Sequence, residues 1–115
     1  MKQAYAHEAH LILEGDDRAP GGAITSALCG ALDHQPPCPL ASHHIDAVRE
    51  GEGVRLRILF AVPPNKVDEV RTRIDNALAA GVFTGPEGTT THWRTLDSGC
   101  TRITREEFPH ARRLL

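Results

Sequence analysis

The apolar positions change period several times along the chain, and each change marks an element. From His7 to Glu14, Ala9, Leu11 and Leu13 alternate with Glu8, His10, Ile12 and Glu14, which predicts a strand with one apolar face. After Pro20-Gly21-Gly22, the residues Ile24, Ala27, Leu28, Ala31 and Leu32 recur at helical spacing. That helix must close before Pro36, because proline disfavours helix at and before its position. A second strand is expected from His43 to Glu50, and Glu50-Gly51-Glu52-Gly53 reads as a hairpin turn. The alternation is clearest in the next strand, where Val54, Leu56, Ile58, Phe60 and Val62 interleave with Arg55, Arg57, Leu59 and Ala61. Pro63-Pro64 stops it. Asn65 reads as an N-cap, Val67, Val70, Ile74, Ala77 and Leu78 as a buried helical stripe, and Gly81 as the residue that ends the helix. Gly85-Pro86-Glu87-Gly88 is a loop, Thr89 to Asp97 a strand, and Cys100 to Thr104 an extension of the sheet. Thr104 then starts a short helical turn.

The order β-α-β-β-α-β resembles the split βαβ, or ferredoxin-like, arrangement. The expected fold class is therefore α+β: a four-stranded antiparallel sheet with two helices on one face, in a single domain spanning residues 1–115. This resemblance lies in the pattern and carries no functional residues. The first and third strands should be central neighbours. Glu8, His10, Glu14, Arg55 and Arg57 would then share the open face with Ile12, Leu59 and Ala61. Those apolar residues predict that the face is covered by a second copy of the chain, in a homodimer.

Composition limits the function classes. The 115 residues carry 13 basic and 15 acidic side chains, a net charge of -2 that gives no overall attraction to nucleic acid or anionic lipid. No apolar run approaches the ~20 residues of a membrane span. The amino-terminal residues lack the apolar core of a signal peptide, so the expected location is the cytoplasm. Three cysteines is an odd number, and in a reducing compartment metal ligation or burial explains them better than a disulfide framework.

Candidate chemistry concentrates between residues 29 and 44. Cys29, His34, Cys38, His43 and His44 fall there, with Asp33 among them as a possible orienting acceptor for a ligating imidazole. Thiolate and imidazole are the donors that zinc prefers. The spacing matches no Cys-x-x-Cys knuckle, so the argument rests on donor type alone. Successive strand residues face opposite sides, so only one of His43 and His44 should join such a site. The leading expectation is a small zinc-binding protein, with zinc as the cofactor. One alternative is a dimeric enzyme or small-molecule-binding protein using His10, Arg55, Arg57 and His92 on the open face. The other is a non-catalytic interaction module. Cys100 stands apart and reads as inert, and Gly21-Gly22 reads as a plain loop before a helix.

Overall fold

The structure, a computed structural model, describes residues 1–29 and 41–115, with Cys29 described in its backbone alone. The elements run β1 (Gln3–Leu13), α1 (Ala19–Cys29), β2 (Ser42–Glu50), β3 (Gly53–Val62), α2 (Val67–Ala80), β4 (Val82–Thr84), β5 (Thr90–Thr101) and α3 (Phe108–Leu114). All pairings are antiparallel, in one curled sheet of order β2-β3-β1-β5-β4.

The expected four-stranded ferredoxin-like sandwich is corrected by this arrangement. The described residues form five strands and three helices, and the third helix lies on the other face of the sheet. The extra strand, β4, is only Val82–Thr84, hairpinned onto β5 through Val82↔His92 and Thr84↔Thr90. Three residues are too few to show a period. The extra helix follows a 3-10 turn, Arg105–Glu107, that starts from a capping box: the Thr104 hydroxyl accepts the Glu107 N–H and the Glu107 carboxylate accepts the Thr104 N–H.

The main core lies between the sheet and α1 and α2. Ile24, Leu28, Val70, Ile74 and Leu78 pack on Leu11, Leu13, Leu56, Ile58, Phe60 and Trp93. Burying each such side chain stabilises the fold by about 1.5–3 kcal/mol. Gly81 ends α2 in the left-handed conformation at φ 71°, as its position suggested. Two starts differ from expectation. Asn65 falls in a 3-10 turn, Pro64–Lys66, and does not cap α2. Helix α1 begins at Ala19, so Gly21 and Gly22 lie inside it. Contact explains Gly22: a Cβ there would stand 2.7 Å from the Phe83 ring, so only glycine lets α1 approach β4 this closely.

On the opposite face, Ala6, Leu59 and Ala61 are buried together with Ala111 of α3. The chain's own carboxy-terminal helix thus covers this part of the face. Arg57 anchors it, donating to both carboxylate oxygens of Glu107 at 2.6 and 3.0 Å and to Glu8 at 3.2 Å. These bonds hold the Glu107 carboxyl below the usual carboxylate range and raise the Arg57 guanidinium. Among the described residues no helix is long and apolar enough to cross a membrane.

Candidate functional site

A cleft of about 420 Å³ opens between α1 and the edge strand β2. Gly21 and Thr25 face it from α1, and His43, Ile45 and Ala47 from β2. Helical spacing puts Gly21 and Thr25 one turn apart on the same side. Strand alternation turns His43, Ile45 and Ala47 toward the helices. Asp17 and Arg18 stand at the far end. There Arg49 ties β2 to the end of β1, donating to the carbonyls of Leu13 at 2.7 Å and Gly15 at 3.1 Å.

Inside the cleft, two contacts among the described residues orient the His43 ring. Its Nδ1 lies 3.1 Å from the Ala41 carbonyl oxygen, and its Nε2 lies 3.1 Å from Thr25 Oγ1. A carbonyl oxygen only accepts, so Nδ1 carries the proton. In the neutral ring Nε2 is then a lone pair, and it accepts the Thr25 hydroxyl proton. A base held to a hydroxyl, with its other nitrogen held by an acceptor, is the polarity that general-base chemistry needs.

A second imidazole–hydroxyl pair has the opposite polarity. His7 is buried on β1, with Nε2 2.8 Å from Ser98 Oγ and 3.3 Å from Asp75 Oδ1. Its Nδ1 accepts from Arg71 at 2.9 Å, because a guanidinium only donates. Nε2 must therefore carry the proton and donate to Ser98, which donates in turn to Asp75 at 2.6 Å. His7 has no lone pair facing its serine. Burial holds its pKa below the ordinary histidine value; the Asp75 charge opposes that shift and the Arg71 charge adds to it. Arg71 also donates to the Ala6 carbonyl at 3.0 Å and lies over the Phe60 ring, so this network fastens α2 to the sheet.

The zinc-protein expectation is corrected here. Among the described residues, no group of three or more His, Cys, Asp or Glu side chains could hold a metal ion. His43 and His44 also point apart. His43 turns to Thr25, while His44 stacks on His110 of α3 with ring centroids 3.6 Å apart and meets Asp46 at 3.2 Å. The expectations for Asp33, His34, Cys38 and the Cys29 side chain fall outside the described residues.

The open-face site built on His10 and His92 does not form either. His10 pairs in register with Asp97, which meets its Nδ1 at 2.7 Å, while His92 lies beside Val82 near the other end of β5. Arg57 is saturated by Glu8, Glu107, Thr101 and the Arg102 carbonyl, which leaves it no role with a ligand. Cys100 is an exposed thiol in β5, opposite His7 in register. Sequence reasoning missed both Thr25 and Ser98, since no short-range spacing links either one to its histidine. No family model matches the chain, and no curated protein or solved structure matches it.

Proposed function

We propose that the protein binds a small polar molecule in the α1/β2 cleft, and that His43 accepts a proton there, directly or through the Thr25 hydroxyl. The observation that carries this reading is the Ala41 carbonyl at His43 Nδ1, which leaves Nε2 as the basic nitrogen toward Thr25. The walls suit a small ligand: glycine and alanine leave space, Ile45 supplies apolar contact, and Asp17 and Arg18 offer charge at one end. The amides around Thr25 are engaged within α1, so none of them is available as an oxyanion donor.

Nitrogen NMR of the histidine rings tests it directly. At neutral pH His43 should show the Nδ1–H tautomer. A fragment screen should shift the amides of Gly21, Thr25 and Ile45, and the affinity of those fragments should fall at least ~10-fold in His43→Asn, about one charge-assisted hydrogen bond. An Nε2–H tautomer, or fragments that gather only on other surfaces, would sink the proposal.

A further inference from the structure

The half of the open face that α3 leaves bare is made of two rows of side chains. Register places Val48, Arg55, His10 and Asp97 in one row, and Glu50, Gly53, Ile12 and Arg94 in the next. A bulge in β5 opposite His10 and Leu11 adds Leu96. Thr95 donates to the Leu78 carbonyl and Ser98 to Asp75, so both face α2. The two residues between them, Leu96 and Asp97, must therefore both turn to the open face, as a bulge allows.

Among its charges this patch exposes apolar side chains. Leu96 is 55% exposed and Val48 41%, and Ile12 lies between them. It also contains a polar atom in need of a partner, since Arg55 Nε is buried without one. The charges balance, with Glu50 and Asp97 against Arg55 and Arg94. A patch of one sign would repel its own copy, whereas a balanced one can meet itself.

We propose that this half-face is the contact of a two-fold dimer, with a second copy of the chain as its occupant. The contact is independent of the α1/β2 cleft, which lies on the other side of the sheet. Consider a two-fold axis crossing the strands between the two rows. It lays the partner subunit's Arg94 over Asp97, and by symmetry Arg94 over the partner's Asp97. Leu96, level with the gap between the rows, meets the partner's Leu96 near the axis. Arg55 faces the partner's Gly53, where no side chain blocks it, beside the partner's Glu50.

Sedimentation and light scattering across the micromolar range test the contact. The wild-type chain should show twice the chain mass. Leu96→Asp should weaken the dimer at least ~10-fold, because each new carboxylate would be buried against its own copy. Arg94→Glu should weaken it less, and high salt should shrink that loss by screening the like charges. Both residues are exposed, so thermal melts of the two variants should match the isolated wild-type chain. A wild-type chain that is monomeric throughout overturns the proposal, and that is the outcome expected if a foreign protein uses the patch. A dimer that survives both substitutions also overturns it and places the contact elsewhere, for example along the β2 edge.

Discussion

His7 and His43 both lie on the helix-facing side of the sheet, and both rings meet a hydroxyl. They differ in what stands behind the other nitrogen. Arg71 faces His7 Nδ1 and can only donate, while the Ala41 carbonyl faces His43 Nδ1 and can only accept. The first arrangement runs a chain of donors from Arg71 through His7 and Ser98 to Asp75, with each proton committed. The second leaves a base pointed at Thr25 in an open cleft. Nearly the same hydroxyl distance therefore serves as a fastening in one place and as candidate chemistry in the other. A histidine beside a serine is not a nucleophile pair until the distal nitrogen is accounted for.

The comparison breaks most visibly at Arg71. Arg71→Met should destabilise the fold by about 2–3 kcal/mol, because the buried His7 Nδ1 and the Ala6 carbonyl lose their donor. Urea unfolding measures this, and a loss below about 0.5 kcal/mol, within the ordinary spread of surface substitutions, would show that the network fastens nothing.

Acid sharpens the contrast next. The folded pKa of His7 is depressed, so the unfolded chain binds the extra proton first as pH falls below the ordinary histidine value. Stability contributed by neutral His7 is thus present above that value and lost as pH falls from there through the folded pKa. The Glu107 carboxyl, also depressed, loses its contribution only at lower pH, through the carboxylate range. His7→Gln should flatten the first part of the profile and leave the second intact. Unfolding free energies measured from neutral to acid pH check both parts.

The smallest effect is expected in the cleft. Thr25→Val keeps the shape and removes one half-buried hydrogen bond, so it should cost about 0.5–1.5 kcal/mol, less than Arg71→Met. The same unfolding measurement ranks the two. A Thr25→Val loss larger than that of Arg71→Met would make the cleft pair the structural one and reverse the comparison.

Much of the scaffold was legible along the chain. The faces of β1 and β3 follow the alternation of Ala9, Leu11 and Leu13 and of Val54 through Val62, and both faces are where the pattern put them. The opposite orientations of His43 and His44 were legible for the same reason. Strand β4 was not, because three residues show no period. The start of α1 was missed because Gly21 and Gly22 look like breakers until Phe83 is seen against Gly22. The polar networks were invisible for a more basic reason. Thr25 is 18 residues from His43, and Ser98 is 91 from His7.

The sequence by itself determined which side chains share a face, because strand and helix geometry are local and repeat at fixed periods. Only the tertiary structure decided the rest. It placed α3 over Leu59 and Ala61, left Leu96 and Asp97 bare on a bulge, and set a cation behind one imidazole and a carbonyl behind another. Those outcomes depend on which distant groups meet, and a hydrogen-bond donor or acceptor takes its role from the group that faces it.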